Sequence, residues 1–110
     1  GQIQGGIAQG VGQALYECLS YDQTGQLLSG SLMDYTLPRA DHLPMLETFT
    51  RNTVCGNNLL GVKGAGEAGA IGAPPAVISA LCDALDIVHI DMPATLDNIW
   101  KTVKAKKVAA

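Results

Sequence analysis

The chain has 110 residues, of which 47% are hydrophobic and only 15% charged, with a formal net charge of −3 and a pI near 5.1. That length supports one domain with a modest core, and the acidic balance argues against a nucleic-acid binder, which needs a basic face. Thirteen glycines and a mean hydropathy of +0.19 exceed what a self-contained soluble domain needs, so part of the surface is expected to lie against another polypeptide.

Ile3, Ile7, Val11 and Leu15 recur every four residues and predict a helix over 3–18 with one apolar stripe. Gly5, Gly6, Gly10 and Gly12 lie inside it, and four glycines cost a helix about 4 kcal/mol relative to alanine. A close backbone approach is the expected compensation. Asp22-Gln-Thr-Gly25 predicts a type I turn, Leu27–Tyr35 a strand ended by Leu37-Pro38, and Leu46–Thr53 a second, Thr-rich strand. Pro74-Pro75 suit the first turn of a helix whose buried face is Val77, Ile78, Leu81 and Leu85. Ile87–Ile90 predicts a short strand, and Thr95 an N-cap for a last helix striped by Leu96, Ile99, Trp100 and Val103. The basic residues Lys101, Lys104, Lys106 and Lys107 suit that helix's C-terminal end. The expected fold class is α/β (α+β): one compact unit over residues 1–110 with about three helices and a small mixed sheet.

Between the second strand and Pro74 lies Gly61-Val-Lys-Gly-Ala-Gly-Glu-Ala-Gly-Ala-Ile-Gly-Ala73, in which nine of thirteen residues are Gly or Ala. Apart from Lys63, Glu67 is its only ionisable group. Residues this small let something large approach one carboxylate closely; the plain alternative is a loop packed under a helix, with Glu67 facing water. Gly64-Ala-Gly66-Glu-Ala-Gly69 formally matches GxGxxG, but a dinucleotide site needs a βαβ unit and a helix that opens at once. With the helix expected only at Pro74 and a glutamate where a pyrophosphate would be repelled, no NAD binding is expected. Lys63 is misplaced for a P-loop, His42 and His89 lack partners in register, and Ser29, Ser31 and Ser79 have no nucleophile elbow.

Cys18, Cys55 and Cys82 contain no CxxC pair, which excludes the familiar zinc arrangements and a disulfide framework and fits a reducing cytoplasm. No apolar run is read as approaching the roughly 18–20 residues that span a membrane, and no signal peptide is read. The chain opens on Gly1 inside a patterned segment, so it is expected to be a piece of something longer.

Gln2-Ile-Gln-Gly-Gly-Ile-Ala-Gln-Gly-Val-Gly12, Gly30-Ser-Leu-Met-Asp-Tyr35, Leu37-Pro38, Gly61–Gly69, Pro74-Pro-Ala-Val77 and His89-Ile-Asp-Met-Pro93 stand in one order. In that order they resemble the molybdopterin-binding large subunit of the xanthine dehydrogenase, aldehyde oxidase and aerobic carbon monoxide dehydrogenase family. The similarity covers nearly the whole chain and the C-terminal seventh or so of a family subunit. It implies that Glu67 is the catalytic base beside the molybdenum, and that Gln2, Gly64, Ala65 and Gly66 contact the molybdenum–molybdopterin cofactor. The redox chemistry would belong to that cofactor, and a neutral amide such as Gln2 both donates to and accepts from a pterin. The glycines of the first helix would then face cofactor or a neighbouring chain. The implied partners are the remaining large-subunit polypeptide and iron–sulfur and flavin subunits or domains; the isolated chain is expected to be inactive, to lack the cofactor and to self-associate. Val54-Cys-Gly-Asn-Asn58 departs from the family's proline-containing approach to the loop. The rival reading is a non-catalytic interaction module that keeps the fold and forms a metal-free homo-oligomer.

Overall fold

The computed structural model describes residues 1–109, whose elements are α1 (Gln2–Leu15), a 3-10 turn (Ala40–His42), α2 (Ala68–Leu85) and α3 (Leu96–Ala109). The first helix keeps the expected apolar spacing, and Ile3, Ile7, Val11 and Leu15 are all half-buried. Its inner face, however, is made by glycine: Gly6, Gly10 and Gly12 are buried with Ala14.

The glycines allow α2 to touch the α1 backbone. A β-carbon on Gly69 would stand 2.5 Å from the Ile7 nitrogen, 2.7 Å from the Gly6 carbonyl carbon and 2.8 Å from the Ile3 oxygen. One on Gly10 would stand 2.8 Å from both Ala73 Cβ and Pro74 Cδ. Gly6 thus faces Gly69 and Ala70, and Gly10 faces Ala73 and Pro74 four residues further on, so the helices run parallel with their N-termini at one end. Close approach to α2 of the same chain accounts for Gly6 and Gly10, while Gly12 packs on Pro38 and Glu17 and Gly5 faces open space.

The second helix opens at Ala68, directly after Glu67, and not at Pro74 as the sequence suggests. Pro74 and Pro75 lie inside it, leaving the Ala70 and Ile71 carbonyls without their usual donors four residues on. Buried Pro74 packs on Gly10, a tertiary contact that overrides the local preference of proline for a first turn. At the other end Asp86 adopts the left-handed conformation, with its N–H on the Asp83 carbonyl at 3.1 Å and that of Ile87 on Cys82 at 3.0 Å. This is the Schellman arrangement. Lys106 of α3 completes it, donating to the Leu85 and Asp86 carbonyls and to Asp86 Oδ2 at 2.7–2.8 Å. Thr95 caps α3 as expected, its Oγ1 accepting the Asn98 N–H at 3.3 Å. Ile99 and Val103 turn inward, whereas Leu96 and Trp100 of the expected stripe are exposed. The Ala94 N–H, bonded to the Ala14 carbonyl at 2.7 Å, ties the approach to α3 to the end of α1.

The expected mixed sheet is absent among the described residues, so the α/β assignment is corrected to a helical one. Leu27–Tyr35, Leu46–Thr53 and Ile87–Ile90 form no ladder; the isolated antiparallel bridge is Tyr21 to Leu27, closing the expected Asp22–Gly25 turn. The cause is the lack of a partner. Alternating apolar side chains specify a strand only when a neighbour covers one face, and here Leu32, Met33 and Phe49 stay mostly in solvent. Ser31 and Asp34 instead bond each other at 2.7 Å and turn the chain. Compactness is corrected too: the radius of gyration is 17.8 Å, against about 13 Å for a compact domain of this length. Among the described residues the buried hydrophobic core is Ala14, Ile90 and Ala94.

Contrary to the sequence reading of apolar runs, α2 has 18 residues with mean hydropathy 1.4, long and apolar enough to cross a membrane. Its seam with the amphipathic α1 is equally that of an interior helix within a larger protein.

Gly72→Ala, at a helical site with open space around it, should raise thermal stability by about 1 kcal/mol through helix propensity. Gly69→Ala should lower it by about 1–3 kcal/mol, since only backbone stands in the way; thermal melts by circular dichroism read both. The hydrogen bond and charge of Lys106 hold the Asp86 carboxyl below the usual carboxylate range. A folded value below the unfolded one gives a contribution that is complete above the unfolded value and lost as pH falls through the folded one. The α2–α3 tie should therefore be constant near neutrality and weaken below about pH 4, an acid-dependent part that Asp86→Asn removes in NMR pH titrations of the α3 amides.

Candidate functional site

Because α1 and α2 run parallel, their first turns meet, and this end gathers most of the candidate residues. Gln2 opens α1, and Glu67 is the N-cap residue of α2. A β-carbon on Gly66 would stand 3.7 Å from Gln2 Nε2, so the Gln2 amide lies directly over the Gly66 backbone. Gly64, Ala65, Gly66 and Glu67 are all exposed, and Gly64 has no other group within 4 Å of where a β-carbon would stand. The Glu67 carboxylate makes no capping bond to its own helix and, among the described residues, no ion pair. The structure thus brings together Gln2, Gly66 and Glu67 on two helix N-termini, with Gly64 and Ala65 on the approach.

That approach is ordered. Asn58 donates through Nδ2 to the Val62 carbonyl at 2.9 Å and accepts the Val62 N–H through Oδ1 at 3.2 Å, as a backbone partner would. The Cys55 N–H bonds the Gly61 carbonyl at 3.0 Å. Gly61 has φ +64°, and a β-carbon there would also stand 2.8 Å from Val54 Cγ1. The Val54–Asn58 stretch, noted in the sequence only as a departure, therefore closes a defined loop. Gln4 was not singled out in the sequence either; its Nε2 donates to the Leu46 carbonyl at 3.0 Å and pins the extended segment beside the same end. Neither residue carries a sequence signal beyond a polar side chain next to a turn or on the exposed side of a helix.

Other candidates fall elsewhere. His42 stacks on Tyr16 with ring centroids 5.0 Å apart, and His89 bonds Asp91 at 2.9 Å. The three cysteines are free thiols, and among the described residues no three His, Cys, Asp or Glu side chains converge on a point. The early opening of α2 removes one argument used against a dinucleotide, the delayed helix; the βαβ unit such a site needs is still absent among the described residues.

As a donor set, this end offers a neutral amide, exposed backbone N–H groups of a glycine loop, two helix N-termini favouring negative charge, and one unpaired carboxylate. Those groups fit an oxygen-rich, anionic organic cofactor that brings its own metal ligands. The family model for the molybdopterin cofactor-binding domain matches residues 1–44. The large subunit of nicotine 6-hydroxylase from Paenarthrobacter nicotinovorans is 41% identical over 107 residues, 94% of this chain and 13% of that protein. The carbon monoxide dehydrogenase large chain of Hydrogenophaga pseudoflava is 36% identical over 112 residues, 99% of this chain and 14% of that one. Among solved structures, Cu,Mo-CO dehydrogenase superposes with a TM-score of 0.89 at 31% identity, over 99% of this chain and 14% of that one. The chain belongs to the molybdenum hydroxylase large-subunit family. It spans 13–14% of the length of these family members. Both sequence relatives, a large subunit and a large chain, are parts of multi-chain enzymes.

Proposed function

We propose that this segment forms one edge of the molybdenum-cofactor site of a molybdenum hydroxylase, as the C-terminal part of the molybdopterin-binding domain of its large subunit. In that role Glu67 is the catalytic base, and Gln2, Gly64, Ala65 and Gly66 contact the cofactor. The observation that carries this reading is the meeting of Gln2, Gly66 and Glu67 at the common end of two parallel helices.

The molybdenum–molybdopterin group, when bound, supplies the two-electron redox chemistry. The chain's own groups do the rest. Gln2 presents a donor and an acceptor that hold a polar ring edge in one orientation. The exposed amides of Gly64–Gly66 add donors without side-chain bulk. Glu67, neither capping its helix nor ion-paired among the described residues, is free to accept the proton released as the substrate is oxidised.

The exposed apolar side chains of Met33, Phe49, Leu59, Leu60 and Ile71 suit burial under the remaining large-subunit polypeptide, with iron–sulfur and flavin subunits or domains completing the enzyme. In this reading the substrate is an aldehyde, carbon monoxide or an N-heterocycle, the enzyme works in the cytoplasm, and the isolated chain neither holds the cofactor nor turns over. In the assembled enzyme Glu67→Gln should lower kcat by about 10²–10⁴-fold, the scale of a lost general base, with molybdenum content unchanged. Steady-state kinetics beside metal analysis check this, and wild-type turnover in the variant contradicts the assignment.

A further inference from the structure

Between the extended segment 51–54 and the loop 61–65 lies an open pocket of about 410 Å³, within the size range of small-ligand sites. Arg51 and Lys63 both line it, together with Asn52, Thr53 and the backbone of Gly64 and Ala65; no acidic residue does. The chain has ten acidic residues for seven Lys and Arg. Even so, neither Arg51 nor Lys63 has a carboxylate within ion-pair distance among the described residues. Lys63 Nζ instead donates to Thr53 Oγ1 at 2.6 Å, an uncharged acceptor that fixes the ammonium across the pocket without neutralising it. The bonds of Asn58 to Val62 and of Cys55 to Gly61 hold the loop wall in place.

An ammonium held by Thr53 and an exposed guanidinium, both without a carboxylate partner among the described residues and with the neutral Asn52 and Thr53 between them, match the needs of an oxyanion. We propose that this pocket binds the carboxylate or phosphate group of a small molecule between Arg51 and Lys63. The site goes beyond the cofactor reading. It borders that edge at Gly64 and Ala65, but its cations lie outside it, so either reading can fail while the other stands.

The test is an NMR titration of the full ¹⁵N-labelled chain with inorganic phosphate and, separately, with acetate, each against sodium chloride at matched ionic strength. Saturable shifts confined to residues 51–54 and 61–65 are expected for one of the two anions, which also tells a phosphate from a carboxylate ligand. Lys63→Met and Arg51→Met should each weaken binding at least about fivefold, Lys63→Arg should retain it, and Lys104→Met on α3 should leave it unchanged. The amide spectrum of each variant reports whether the loop is still folded, and for a Lys63→Met chain that unfolds the loop, the Arg51→Met result decides. Absence of saturation with both anions, equal shifts along the basic residues Lys101–Lys107, or undiminished affinity in the Met variants overturns the proposal.

Discussion

The approach of α1 to α2 at Gly6, Gly10 and Gly69 decides where everything else in this chain can stand. A side chain at Gly10 or Gly69 would collide with the facing helix, most severely at Gly69, where the nearest atoms all belong to the α1 main chain, whereas a β-carbon at Gly6 would only make contact with Gly69 and Ala70. Backbone contact brings the two first turns together, so that a glutamine on one helix and a glutamate before the other share one end. Sequence-distant residues 2 and 66–67 become neighbours through a seam whose closest approaches are made at glycine. The prolines belong to the same arrangement: Pro74 sits inside α2 because its ring fills the space that Gly10 leaves.

Around that seam the chain is strongly incomplete. Among the described residues no large side chain is fully buried, and apolar residues such as Leu32, Met33, Phe49 and Val88 face solvent. Hydrophobic burial is the dominant favourable term in folding, and a core of two alanines and one isoleucine supplies little of it. What order there is comes from the helix seam, from polar ties such as Lys106 on the end of α2, and from loop closures such as Asn58 on Val62. A chain built this way gains from being clothed by further polypeptide, in keeping with its span of 13–14% of its family members' length.

Helices were legible where the pattern was strong: the four-residue repeat from Ile3 to Leu15 and the Thr95 cap both reappear in the structure. The strands were not, because alternation in Leu27–Tyr35 and Leu46–Thr53 describes a face that needs a neighbour outside this segment. The start of α2 was misplaced by six residues, since proline's local preference was weighed and its packing on Gly10 could not be. Glu67 stood out as a lone carboxylate among small residues. Its proximity to Gln2 was not legible, because it follows from the parallel register of two helices more than fifty residues apart in sequence. Close approach accounts for Gly6 and Gly10, which meet the chain's own second helix, and for Gly12, which meets Pro38, whereas Gly5 has open space around it.

The central claim is that this segment works as one wall of a molybdenum site inside a larger subunit. Its most direct test is the molybdenum-to-protein ratio of the polypeptide that carries this sequence, purified natively from its own host. The account predicts about one molybdenum per chain, with the other large-subunit elements present. A clean, metal-free homo-oligomer of this segment would contradict it.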